Sequence, residues 1–147
     1  MAAHQYVLDS QVETSVDSAE TYCVKTLKTT GDIDDEIMVY GIHEDSRYFP
    51  KKLKDGDVLV SDGYADKYRL SDEDEIKLKE NYGDDIYKFK LTGSVKYPST
   101  LAIFMTEDDF RQTFGLDEGY FTGYFSDEEL TDISDHVVSE ITKDDLI

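Results

Sequence analysis

Apolar residues in this chain come in short stretches, and most of those stretches alternate with polar residues. The longest uninterrupted apolar run covers residues 101–105, far short of the roughly 18 residues that a membrane-spanning helix needs. Alternation with a period of two is the pattern of a β-strand that buries one face. The chain is therefore expected to consist mainly of short strands, and no stretch of it is expected to cross a bilayer.

Residues 76–91 show this alternation most clearly. Ile76 and Leu78 alternate with lysines, a turn-forming stretch follows at 81–85, and Tyr87 and Phe89 again alternate with lysines. The pattern predicts a β-hairpin with one buried face and one lysine-rich face. Further strands are predicted near 6–8, 21–28, 36–42, 58–60, 101–105, 120–125 and 136–141, and the stretch 36–42, apolar on both faces, is predicted to be central.

Signals for helices are fewer, and each predicts a short helix. Ser61 is a candidate N-cap, and Thr106 begins a second candidate that ends at Gly115. The stretch 126–129 has the Ser-x-x-Glu pattern of a capping box, and 142–145 gives one more helix start. Strands outnumber helices, so the predicted class is α+β, with mixed β-sheets and short helices.

A chain of 147 residues has the size of one domain. Residues 1–18 are expected to be a lead-in segment and 19–147 a single α+β domain, with 71–97 in a β-rich lobe if the domain has two lobes. The helix signal at 142–145 suggests that the parent protein continues beyond it.

Charge limits the partners that this chain can bind. Fifteen Lys and Arg residues stand against 34 Asp and Glu residues, a net charge of −19. Such a surplus repels polyanions and attracts cations, so direct binding of nucleic acid is disfavoured. A well-solvated surface is the ordinary explanation, and capture of a cationic peptide is the alternative. Cys23 is the only cysteine, which excludes an internal disulfide and a thiolate metal cluster.

Four stretches, taken in order, resemble the extracytoplasmic (MacB periplasmic core-like) domain of ABC transporter permeases of the FtsX/MacB type. They are Val-Leu-Val-Ser-Asp-Gly-Tyr-Ala-Asp-Lys-Tyr-Arg-Leu at 58–70, Asp-Glu-Ile-Lys-Leu at 74–78, the segment 87–115 with its Phe-Gly end, and Gly-Tyr-Phe-Ser-Asp-Glu-Glu-Leu at 123–130. The last is similar to Gram-positive members. Glu73 stands where the family usually has glycine. The resemblance covers roughly residues 35–147.

The resemblance implies a porter-like strand-helix-strand lobe with a smaller β-rich lobe. It implies a domain on the extracellular face of the cell membrane, tethered through flanking helices that are not in this chain. ATP would be hydrolysed by a cytoplasmic ATP-binding subunit, and the sequence has no Gly-x-x-x-x-Gly-Lys loop of its own. The expected function is non-catalytic and needs no cofactor. The domain would bind a cationic peptide or an extracellular protein, or couple ATP hydrolysis to export or signalling.

Two other functions stay open. A cytoplasmic acidic protein that mimics DNA would suit the charge, and a small hydrolase would need a nucleophile beside a histidine. Residues 43–46 contain the residue types of a hydrolase triad, but contiguous residues cannot converge on one point, so a polar turn is expected. His4, His43 and His136 lack zinc-site spacing. The acidic runs 32–36 and 72–75 lack EF-hand spacing and are expected to be solvated loops.

The aromatic stretch 120–125 supplies the candidate ligand or partner surface. On a strand, Tyr120 and Tyr124 would share one face, and Phe121 and Phe125 would share the other. One of the two faces could be accessible, with core packing as the alternative. The candidate residues are therefore Tyr120 and Tyr124, and no catalytic, cofactor-binding or metal-binding residue is assigned.

Overall fold

The computed structural model describes residues 2–98 and 100–146, in which ten strands form one mixed sheet accompanied by two short α-helices. The α+β class is confirmed. The strands are β1 (His4–Leu8), β2 (Glu20–Thr29), β3 (Glu36–Ile42), β4 (Leu59–Ser61), β5 (Glu75–Glu80), β6 (Ile86–Lys90), β7 (Gly93–Val95), β8 (Ala102–Thr106), β9 (Gly123–Ser126) and β10 (Val137–Thr142), and the helices are α1 (Asp62–Tyr68) and α2 (Glu107–Phe114). Short 3₁₀ helices cover Ser134–His136 and Lys143–Leu146.

Strand β2 is the point at which the sheet branches. Along one edge it pairs with β3 from Cys23 to Lys28. Along its other edge it pairs first with β9, through residues 20–22, and then with β5, through residues 27–29. The strand order β10-β1-β9-β2-β3-β8-β4-β7 therefore has the β5–β6 hairpin as a side branch.

Strand β3 is central, as its apolar pattern predicts. It lies between β2, which is antiparallel to it, and β8, which is parallel to it. Ile37 and Val39 are buried on one face of the sheet, and Tyr40 and Ile42 are buried on the other. Because both faces are covered, a strand at this position needs apolar residues at consecutive positions.

Three apolar clusters fill the space around this sheet. The first lies under α1, α2 and the hairpin, and it includes Tyr64, Phe89 and Phe110. The second covers the opposite face with stacked rings, among them Tyr40 and Phe104, whose ring centroids are 5.2 Å apart. The third lies between β1, β9 and the segment that follows β9. The two faces of β3 therefore contribute to two separate clusters.

The expected lead-in, residues 1–18, contains strand β1, which is hydrogen-bonded on both sides. Its neighbours are β9 and β10, both antiparallel. Tyr6 is 2% exposed, and its hydroxyl accepts a hydrogen bond from the Leu130 amide at 2.9 Å. The stretch expected in a second lobe, 71–97, is joined to the same sheet through β2 and β4.

One predicted helix start is wrong. Ser126 is the last residue of β9, and its hydroxyl bonds the amide and the carbonyl of Glu128. The capping box predicted at 126–129 therefore does not form, although Leu130 and Ile133 are buried as expected. The predicted helix after Ser61 does begin there. However, the Ser61 hydroxyl donates to the Thr100 carbonyl and accepts from the Ala102 amide instead of capping α1.

Candidate functional site

Polar side chains converge where two parallel strands end. Strands β3 and β8 run side by side in register, with Ile42 opposite Thr106. The next residues, His43 and Glu107, therefore lie next to each other at the carboxyl edge of the sheet. In open α/β sheets, whose strands are mostly parallel, ligands bind at this edge.

Glu107 is the centre of the cluster. Its carboxylate is 2.6 Å from His43 Nε2 and 3.1 Å from an Arg111 guanidinium nitrogen, and it accepts a bond of 3.3 Å from the Thr21 hydroxyl. Glu107 is only 8% exposed. A buried carboxylate is stable only when it is paired and hydrogen-bonded, and here two potential cations and a hydroxyl meet that need.

The position of helix α2 places this carboxylate. The Thr106 side chain caps the helix by accepting from the Asp109 amide at 3.1 Å, and Gly115 ends it in the left-handed conformation, both as predicted. Phe110 packs against the backbone of Gly41, where an added Cβ would lie 2.7 Å from Phe110 Cβ. Glycine at this position in β3 therefore allows α2 to lie close to the sheet, so that Glu107 reaches His43.

The environment shifts the pKa of two groups in this cluster. The hydrogen bond to Glu107 raises the pKa of His43, against the opposing effect of partial burial. Burial raises the pKa of the Cys23 thiol to about 12, and the nearby Glu107 charge adds to the shift. Cys23 donates weakly to the Tyr120 carbonyl, 3.4 Å away. His43 therefore favours its charged form and Cys23 its neutral thiol.

The arrangement differs from that of a hydrolase triad. In a triad the nucleophile and the carboxylate bond opposite nitrogens of the histidine. Here the Thr21 hydroxyl, at 2.9 Å, and Glu107 both meet Nε2 of His43. The residues 43–46 form a turn closed by a bond from the Ser46 amide to the His43 carbonyl. The cluster is best described as a partly buried ion pair with a bridging hydroxyl.

An acidic depression surrounds this ion pair. Two adjoining hollows of about 280 and 510 Å³ share Asp108 and Arg111 in their walls. We call the carboxylates that line them the acidic concave surface: Glu44, Asp45, Asp55, Asp108, Asp109 and Glu118. Among the described residues in these walls, Arg111 is the one Lys or Arg side chain, and Glu107 and Asp108 already pair with it. The depression is therefore strongly negative.

The two tyrosines predicted as a surface do not lie together. Strand β9 begins only at Gly123, so the alternation expected from residue 120 onward does not apply to Tyr120. Tyr124 is 3% exposed and belongs to the third core cluster, where its hydroxyl donates to the Val12 carbonyl. Tyr120 is partly buried against the first cluster. The structure thus gives Tyr124 a core role and does not join the two into one face.

The two remaining histidines and Asp35 of the first acidic run each lie beside an oppositely charged or ionisable side chain. His4 pairs with Glu140, and His136 lies beside Asp9. In residues 2–98 and 100–146, no group of three or more His, Cys, Asp or Glu side chains is placed to hold a metal ion. In the first acidic run, Asp35 pairs with Lys67, and this contact lowers the pKa of Asp35.

No protein-family model matches the chain, and no curated protein matches it. The resemblance to FtsX/MacB-type permeases therefore rests on the four sequence stretches alone. Across the part of the chain that the structure describes, none of the helices combines the length and the apolar character needed to cross a membrane.

Sequence reasoning missed Glu107 as a site residue, because it reads as one of several acids in the first turn of a capped helix. Two of its partners are distant in sequence: His43 lies just after β3, and Thr21 on β2 lies 86 positions away. One signal was available. His43 directly follows one predicted buried strand, and Glu107 lies two residues beyond the end of another. Parallel pairing of those strands would have placed both residues at one edge.

Proposed function

We propose that this chain is a non-catalytic binding domain whose acidic concave surface receives a cationic segment of a partner. The observation that carries the proposal is the concentration of six carboxylates around two adjoining hollows at one edge of the sheet. A concave surface of one charge focuses the field and speeds the approach of oppositely charged ligands.

The framework beneath this surface supports the same function. The partly buried ion pair of Glu107 with His43 and Arg111 connects the ends of β3 and β8 with helix α2. The rim carboxylates Asp108 and Asp109 lie on that same helix. A binding surface mounted on elements held in this way keeps its geometry in the free protein, which lowers the ordering cost of binding.

We further propose that the domain works on the extracellular face of a permease of the FtsX/MacB type, where it binds a ligand or partner or relays ATP-driven motion. The four sequence stretches support this setting. The parent reading frame tests it, since hydrophobic spans are expected on both sides of this segment. A parent gene that lacks such spans would contradict the membrane setting and leave the binding function to be tested separately.

Binding to a labelled decalysine peptide tests the acidic concave surface. Affinity is expected to fall as salt rises from about 50 to about 500 mM, because the Debye length shortens from about 14 to about 4 Å. Asp108→Asn combined with Glu118→Gln should weaken binding about fivefold, the effect of removing two exposed charge pairs.

A matched variant separates this surface from the net charge. Asp32→Asn with Asp34→Asn removes the same charge from the exposed loop between β2 and β3, and it should leave the affinity within about twofold of the parent. Equal losses in both variants would mean that the peptide responds only to the total charge of the protein, which would refute a localised binding surface. An affinity that does not change with salt would contradict electrostatic capture altogether.

A further inference from the structure

The outer face of the β5–β6 hairpin concentrates positive charge on a strongly negative protein. The strand register places Lys77 directly opposite Lys88, Glu75 opposite Lys90, and Lys79 opposite Ile86. These six residues share the face that points away from the core, since their neighbours Ile76, Leu78 and Phe89 are buried. We call this the lysine face, defined by Lys77, Lys79, Lys88 and Lys90.

These four lysines have no salt bridge to any carboxylate in the part of the chain that the structure describes. The chain has 34 acidic residues. Lys25 pairs with Glu80, and Lys67 pairs with Asp35. The carboxylate of Glu80, on the same hairpin, lies 3.2 Å from Lys25 on β2. Lys90 lies opposite Glu75, but Lys77 and Lys88 lie directly opposite each other. Like charges in that position destabilise a strand pair, so pairing within the hairpin does not account for Lys77 and Lys88.

Two further features make this face suitable for a partner. Ile86 is 57% exposed and lies on the same face, which gives an apolar contact next to the charges. Strand β6 pairs with β5 alone among the described strands, so its other edge presents free backbone groups. An extended segment can add to such an edge as a further strand.

We propose that an extended acidic segment of a partner protein adds to the free edge of β6 and places its carboxylates over the lysine face. Side chains on the same face of an added strand repeat about every 7 Å, the spacing that β geometry gives to Lys88 and Lys90 on β6. Opposite charges on neighbouring strands stabilise a pairing. Strand addition supplies affinity through the backbone, and the lysines select an acidic sequence.

The composition of the hairpin tip favours a peptide over an anionic lipid surface. Tyr82 at the tip is 99% exposed, but Asp84 and Asp85 follow it after Gly83 and are exposed as well. These two carboxylates would have to enter the negative headgroup layer with the tyrosine, and like charges would repel them. The lysines, in contrast, lie along the strands, where an extended chain can follow them.

Fluorescence anisotropy with a labelled ten-residue peptide of alternating Glu and Val tests the proposal. The parent protein should bind it, and a peptide of alternating Gln and Val should bind much more weakly. Lys77→Gln with Lys88→Gln should reduce the affinity about fivefold to tenfold, whereas Lys77→Arg with Lys88→Arg should retain it. Lys52→Gln with Lys54→Gln, the same charge change at exposed positions elsewhere, should bind like the parent.

Several outcomes would overturn the proposal. Lysines at sheet edges also protect against aggregation, and that role alone predicts aggregation of the Lys→Gln variant with no peptide binding by the parent. Binding that survives proline substitution at alternate peptide positions would exclude strand addition. Selective binding to anionic phosphatidylserine vesicles in place of the peptide would assign the face to a membrane. Self-association of the parent with no peptide binding would assign it to a second copy of the chain.

Discussion

The acidic concave surface and the lysine face carry charge in opposite ways. At the centre of the first, one buried carboxylate has three partners: Thr21 on β2, His43 just after β3, and Arg111 on α2. On the second, four lysines project from one hairpin with no carboxylate partner among the described residues, and two of them lie directly opposite each other. In the first region, a paired carboxylate therefore connects three parts of the fold. In the second region, like charges repel each other.

This difference shows how a charge can be assigned to folding or to binding. Removing one member of a buried pair leaves an uncompensated charge and costs stability, so the Glu107 cluster contributes to the fold itself. An exposed lysine opposite another lysine gains nothing from its position in the fold. The acidic concave surface contains both kinds of charge: Asp108 pairs with Arg111, whereas Glu44, Asp45 and Glu118 are exposed. We propose that the exposed carboxylates and the lysine face serve partners.

The largest expected effect on the free energy of unfolding is at the Glu107 cluster. Glu107→Ala should lower the free energy of unfolding by about 3 kcal/mol, because Arg111 and His43 lose the carboxylate that pairs with both. Urea denaturation measures this change. Asp108→Ala, at a side chain that is 71% exposed, should change the free energy of unfolding by no more than about 0.5 kcal/mol. If the two variants were equally stable, the central role of Glu107 would be refuted.

A smaller effect should depend on pH. The pKa of His43 in the folded state lies above its ordinary value of 6.5, so a proton on His43 favours folding. The stability that His43 adds, relative to His43→Gln, is therefore fully present below pH 6.5 and is lost as the pH rises through the folded pKa. Urea denaturation between pH 5.5 and 8.5 follows it. In a Glu107→Gln background, the stability difference between His43 and His43→Gln should be nearly independent of pH. A pH dependence that persists in that background would mean that another group raises the pKa of His43.

The smallest change in the free energy of unfolding is expected on the lysine face, where a substitution should increase stability. Lys77→Gln should raise the free energy of unfolding by about 0.2 to 0.5 kcal/mol, because it removes the repulsion from Lys88. Thermal unfolding at low salt measures it, and added salt should reduce the gain by screening. A loss of stability would mean that Lys77 makes a contact that the fold needs, and the contrast between the two regions would no longer hold.

Much of the fold follows from local pattern, and the hairpin shows why. The alternating pattern indicates which face of the hairpin is buried, and it is visible in residues that are close in sequence. It therefore predicts that Ile76, Leu78 and Phe89 belong to the core. The ends of α2 were equally predictable, since Thr106 and Gly115 act on neighbouring backbone groups. The lysine face was visible in the sequence for the same reason.

The errors arise where a distant contact competes with a local signal. The hydroxyl of Ser61 bonds to Thr100 and Ala102 across the sheet instead of capping its own helix. Alternation places Tyr124 on one face with Tyr120, as a candidate surface or as core. Residues before Gly123 are not part of the strand, and the Tyr124 ring lies in the third cluster. The Glu107 cluster likewise depends on the parallel pairing of β3 with β8, which no local pattern specifies.

The antiparallel pairing of β1 with β10 has a mechanical consequence. His4 lies opposite Thr142, so the first and last strands enter and leave the sheet side by side. A force that separates these two ends acts perpendicular to the strands, so it breaks the hydrogen bonds between β1 and β10 one pair after another. Tension applied there would peel β10 away before it disturbed β3, β8 or helix α2, so the acidic concave surface would keep its shape while the ends gave way.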